Sequence, residues 1–197
     1  MDRGTSETHR RVLELIARGH ADQDALAARL SQGERAAKGE MHAWSAKDHV
    51  AHNNFWRQDA LERVRAVRDG SPPPAEANDE NVVNDGVFAA ERDTAWDALI
   101  AETARLRAET EALVGQLDAA QAAKVEVLVF VNWYDHPAEH WTDVYVLRGA
   151  IDDAIGLRRA VAATARELLG HRPEMYGYML NKLRDLCAAH GRPVPEP

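Results

Sequence analysis

His136 and His140 stand four residues apart in VNWYDHPAEHWTDVYVLRG, with Pro137 directly after the first of them. On a helix this spacing puts two imidazoles one turn apart on one face. That is how a helix offers a pair of nitrogen ligands to a divalent ion. Two histidines rarely close a metal site alone, so a third ligand must come from elsewhere in the chain. His49 and His52, near neighbours in WSAKDHVAHNNFW, are the candidates. His52 is preferred because it sits deeper in its helix, with Trp56 one turn on. Three imidazoles leave an open position for water or substrate, as catalytic divalent sites do. Asp48 and Asp143 lie within about a turn of His52 and His140 and could accept the second ring N–H of each. The plain alternative is a hydrogen-bonded pair of core histidines, with Pro137 marking a helix start rather than a kink.

The elements that must position these residues are helical. Val12, Ile16, Leu26 and Leu30 fall near a 3.6-residue period and predict a helix from about Ser6 to Leu30, with Gly19 a weak point inside it. SQGERAAKGEMHA reads as a loop. Ser45 is the expected N-cap of a second helix, with Asp48 as its reciprocal capping partner, running to about Asp69. GSPPPAEAND then stops it. A third helical region covers about Asn81 to Leu117, with a break near Asp93 and Thr94. Beyond the break, Trp96, Leu99, Thr103, Leu106, Thr110, Leu113 and Leu117 share one side. KVEVLVFV is rich in β-branched residues but has no second strand to pair with, so it is assigned to a fourth helix that kinks at Pro137. The seam of that helix carries Val129, Trp133, His136, His140, Val144 and Leu147. Two shorter helices, about Asp152 to Leu169 and Pro173 to His190, complete an all-α chain. The expected organisation is a bundle over residues 1–150, with 151–197 a helical extension packed on the same domain.

Composition narrows the partners. The chain has 197 residues, 28% of them charged, and a formal net charge of −8. Such an acidic balance does not displace the counterions of nucleic acid and is not drawn to an anionic membrane. The one cysteine, Cys187, excludes an intrachain disulfide and fits a reducing compartment. No apolar run approaches a membrane span, and the N-terminus is too charged for a signal peptide. The expectation is a cytoplasmic protein acting on a small molecule.

WSAKDHVAH resembles the second-helix signature of DinB-like four-helix-bundle proteins, and HPAEH resembles the paired-histidine motif of their fourth helix. NDENVVNDGVFAAERDTAWDALI is similar to the corresponding segment of the ClbS/DfsB branch of that superfamily. The likeness covers about Ser6 to Gly149. It implies an up-up-down-down bundle, often a homodimer, in which His52, His136 and His140 hold a divalent metal, zinc or nickel. It also implies a low-molecular-weight thiol, such as mycothiol or bacillithiol, as cosubstrate. The ClbS-like branch instead includes metal-free hydrolases that open a reactive cyclopropane in a genotoxic metabolite.

Three functions are therefore carried forward. The first is a metal-dependent thiol transferase or hydrolase for a small electrophile. In it Trp44, Trp56, Trp133 and Trp141 wall the cavity and Glu139 is a candidate for proton transfer. The second is a metal-free hydrolase or sequestering protein giving self-protection, with Asn81 and Asn84 at the mouth of the same cavity. The third is a non-catalytic bundle with structural histidines. Cys187 and His190, three residues apart, read as core filling rather than a nucleophilic pair.

Overall fold

The computed structural model describes residues 6–41, 43–75 and 79–197, and among them it is all-helical, with no strand beyond an isolated bridge between Glu40 and Ala43. The helices are α1 (Glu7–Arg29), α2 (Gln32–Ala36), α3 (Ala46–Asp69), α4 (Glu80–Glu91), α5 (Trp96–Val114), α6 (Ala119–Phe130), α7 (His136–Leu147), α8 (Ile151–Leu168) and α9 (Pro173–Ala189). A π-helical turn, Val131–Asp135, joins α6 to α7. No helix of the described residues is long and apolar enough to cross a membrane. The chain divides into two compact units, Met1–Pro137 and Ala138–Pro197.

In the first unit, α1 packs on α5, α6 and the π turn, and α3 packs on α2, α4, α5, α6 and the same turn. Local chemistry sets the ends of these helices. Ser6 caps α1 by accepting from the His9 backbone N–H, and the His9 ring donates from Nε2 to the Leu117 carbonyl at 2.8 Å. A capping box starts α3: Ser45 Oγ accepts from Asp48 N–H, while Asp48 Oδ2 accepts from Ser45 N–H at 2.8 Å and from Gly39 N–H at 2.9 Å. Gly70, at φ 65°, ends α3 in the left-handed region that favours glycine. Ser45→Ala is expected to cost about 1 kcal/mol, read as a fall in the thermal midpoint of roughly 2–4 °C, because the Asp48 N–H loses its acceptor and the Asp48 carboxylate loses the hydroxyl donor.

Several elements depart from the sequence reading. A second capping box, Ser31 with Glu34, builds the short α2 inside the stretch read as a loop. The break after α4 falls where expected. Thr94, which the sequence also offers as the N-cap of the helix after it, does not cap α5; its hydroxyl donates to Glu91 Oε2, and Ala95 stands at the N-cap without a side-chain bond. KVEVLVFV is helical, capped by Asp118 and Gln121. Its apolar face is buried through Val125, Val129 and Phe130. Packing of that face outweighs the modest helix penalty of β-branching. Within the same helix the buried Glu126 carboxylate accepts from Arg11 Nε of α1 at 2.9 Å.

The expected kink at Pro137 takes another form. Proline has no N–H to give the Trp133 carbonyl four residues earlier, and its ring would clash there. The chain widens into a π turn just before it, with His136 N–H donating to the Val131 carbonyl five residues back. Gly19 of α1 lies against this turn. A Cβ added at Gly19 would stand 1.7 Å from the Trp133 carbonyl oxygen. The residue that weakens α1 by propensity is therefore the one that lets the two backbones meet.

In the second unit, α8 packs on α9, with Ile155, Leu183 and Cys187 in a small apolar cluster. Cys187 fills core, as its sequence context suggests. Leu147, placed on the inward seam, is 75% exposed. It is the last residue of α7, so the stripe does not extend to the helix end.

Candidate metal centre

As residue numbers rise along α3 they fall along the facing segment: His52 meets His136, and one to two turns on Arg57 meets Trp133. This antiparallel packing brings the His52 and His136 rings together, with centroids 5.0 Å apart and Nε2 to Nε2 at 2.9 Å. One ring donates and the other accepts, so a single proton lies between two nitrogens. His140 follows one turn after His136 on α7, so its place beside His136 is set by the helix. One ring nitrogen from each of His52, His136 and His140 lies within 4.8 Å of the other two. The histidine groups could hold a metal ion.

The donor set fits that role. Two nitrogens each about 2.1 Å from one ion are at most about 4.2 Å apart, and the 2.9 Å pair is inside that limit. A histidine ligates as the neutral imidazole. Burial, reinforced by His136 and His49, lowers the pKa of His52 to about 3, so at neutral pH its ring is already uncharged. Burial likewise lowers His49 to about 4, against the pull of Asp48 and with a smaller push from His136.

Trp44 and Trp56 frame the pair. The Trp44 ring lies 4.8 Å from His52 and 5.5 Å from His49, and Trp56 lies 6.2 Å from His52 and 6.4 Å from His136. The other sequence candidates are placed differently. Trp133 is fully buried, with the Arg57 guanidinium over its ring at 4.8 Å. Trp141 is buried on α7. Asp48 is committed to the capping box. Asp143 is exposed on α7, yet a carboxylate oxygen of it lies within 4.8 Å of a ring nitrogen of His140, as its spacing suggests. Glu139, proposed from sequence for proton transfer, accepts from Lys182 Nζ at 2.5 Å, with Arg158 Nη2 at 3.5 Å. Asn81 is exposed in the first turn of α4, and its backbone N–H donates to Asp79 Oδ1 in the helix cap.

A buried polar chain between α1, α3 and α5 has no signal in the sequence. Arg57 Nη1 donates to Gln23 Oε1 at 2.7 Å, Gln23 Nε2 donates to Thr103 Oγ1 at 3.3 Å, and Thr103 Oγ1 donates to Asn54 Oδ1 at 2.7 Å. All four residues are buried, and the chain ties α1, α3 and α5 together. A separate cavity of about 590 Å³ opens between α3, α4 and α5, lined by apolar groups including Ala51, Phe55, Val83, Val87 and Leu99. Asn81 is not among its lining residues.

No family model matches the chain, and neither the curated proteins nor the solved structures contain a significant match.

Proposed function

We propose that this protein binds one divalent metal ion through His52, His136 and His140 and acts on a small electrophilic metabolite by thiol transfer or hydrolysis. The observation that carries the reading is the meeting of His52 and His136 at 2.9 Å from helices distant in sequence, with His140 a turn away. The resemblance of WSAKDHVAH and HPAEH to the DinB-like motifs supports it. A divalent ion in such a site brings the pKa of a bound thiol or water toward neutrality and so supplies the nucleophile. The chain's own residues do the rest. Burial holds His52 neutral and ready to ligate, the π turn aims His136, and Trp44 and Trp56 keep apolar surface against the reacting face. Glu139, held by two cations, is less suited to moving a proton than its sequence position suggests, and no step is assigned to it.

The test is elemental analysis of protein purified without an affinity tag or added metal. About one zinc or nickel per chain is expected in the wild type, falling to roughly a tenth or less in His136→Ala and in His52→Ala while circular dichroism shows both variants folded. Wild-type protein that carries no metal, and takes up none on titration at neutral pH, would sink the reading.

The apolar cavity favours a second function, metal-free sequestration or hydrolysis of a toxic metabolite. Its size is in the range that encloses a small ligand. Binding of an apolar probe that persists under chelator, and survives His52→Ala, would move the balance to that function.

A further inference from the structure

Arg57 is fully buried, and among the described residues its only hydrogen bond is the one to Gln23. Its Nε and Nη2 have no partner there, and no carboxylate lies beside it; burial alone brings its pKa down to about 9, still charged at neutral pH. Asn53, one turn earlier on the same face of α3, is also fully buried, with both amide atoms unpartnered. The Trp133 ring that receives the guanidinium has an unpartnered, buried indole N–H. The orphaned set comprises four donors (Arg57 Nε and Nη2, Asn53 Nδ2, Trp133 Nε1) against one acceptor, Asn53 Oδ1. Water donates as readily as it accepts and does not match so one-sided a set. An anion, which only accepts, does. An unpaired buried charge is among the most costly arrangements a core can hold, and a counterion removes that cost.

We propose that Arg57, Asn53 and the Trp133 indole N–H form a buried binding site for one small monovalent anion of halide or carboxylate size. The occupant is either a free ion or the carboxylate end of a ligand whose other end reaches the histidines. Arg57 lies five residues past His52, about 7.5 Å of helix rise. The roughly 5 Å from thiol to carboxylate of a three-carbon acid covers that once one metal bond and one hydrogen bond of about 2–3 Å each are added. The site itself does not depend on a metal being bound; only the second source rests on the function proposed above.

The experiment is a titration of the full chain with sodium bromide and with sodium formate, incubated to equilibrium at ionic strength held constant with gluconate. The thermal midpoint is the readout. A saturable rise of about 5–10 °C at one hundred times the dissociation constant is expected in the wild type. It should be absent in Arg57→Met, which keeps the volume and removes the charge. Crystals grown in bromide give an independent check should that variant not fold: an anomalous peak is expected within hydrogen-bonding distance of Arg57 in the wild type. A third titrant, 3-mercaptopropionate, separates the sources. Binding tenfold or more tighter than formate, lost in His52→Ala, identifies a ligand carboxylate; affinity equal to formate identifies a free ion. No saturable shift with any of the three, and water in place of the bromide peak, overturns the proposal.

Discussion

Gly19→Ala is expected to destabilise the protein by about 3 kcal/mol or more and, with it, to empty the histidine site. The added methyl would stand 1.7 Å from the Trp133 carbonyl oxygen and 2.7 Å from its carbonyl carbon. Both are backbone atoms, so no rotamer change relieves the overlap. Either α1 moves off the π turn or the turn moves off α1, and Trp133 and His136 are carried by that turn. Ordinary Gly→Ala changes inside helices stabilise, by up to about 1 kcal/mol, because alanine has the better propensity. The sign here is thus opposite to the propensity expectation. Thermal melting and metal content measured on the same preparation test it. A variant that melts at or above the wild-type temperature would show that the close approach is not needed.

The second large effect has the other sign. Asp22 on α1 is half-buried, its Oδ2 is without a hydrogen-bond partner among the described residues, and burial raises its pKa to about 6 against the pull of Arg18. The folded state therefore holds this proton more tightly than the unfolded chain, in which an aspartate titrates near 3.9. Between these two values stability falls as pH rises, and above about 6 the penalty is complete. A shift of about two units corresponds to roughly 3 kcal/mol at most, and partial exposure reduces it. Asp22→Asn removes the titration. It is expected to raise stability at pH 7.5 by about 1–3 kcal/mol, or several degrees in the thermal midpoint, and to leave it unchanged at pH 4. Denaturant unfolding across that pH range is the measurement. A difference independent of pH would show that the effect comes from packing rather than from the carboxylate charge.

What the sequence made legible was what local chemistry decides. Ser45 and Asp48 announced the start of α3, and the run from Leu99 to Leu117 announced the buried side of α5 and the turn after it. The Ser31–Glu34 box is the same signal, but the following segment is too short and polar to show a helical period, so α2 was not seen. The seam that periodicity assigns to the fourth helix runs on to Leu147, which is exposed, because periodicity does not say where burial ends. The sequence offers His49 and His52 as partners of His136 and favours His52 by its depth in the helix; the structure places both near His136, with His52 in contact. What could not be read depends on contacts between elements. Arg57, between Trp56 and Gln58, has the look of a solvated helix charge, and only the packing of α3 on α1 and the π turn buries it. Gly19 looked like a defect for the same reason.

The π turn also sets the angular phase of everything that follows it. One extra residue in a helix rotates all later side chains by about 100° relative to those before. Across Val131–Asp135 the chain therefore changes which face it presents: α6 turns Val125 and Val129 toward the core, and α7 begins with His136 turned to α3. Were these residues wound as regular α-helix, with none removed, His136 and His140 would be rotated by about 100° and would start a different side of the helix. The histidines are thus indexed by the width of a single turn: the same residues wound as ordinary α-helix would put the site out of step while leaving every histidine in the chain.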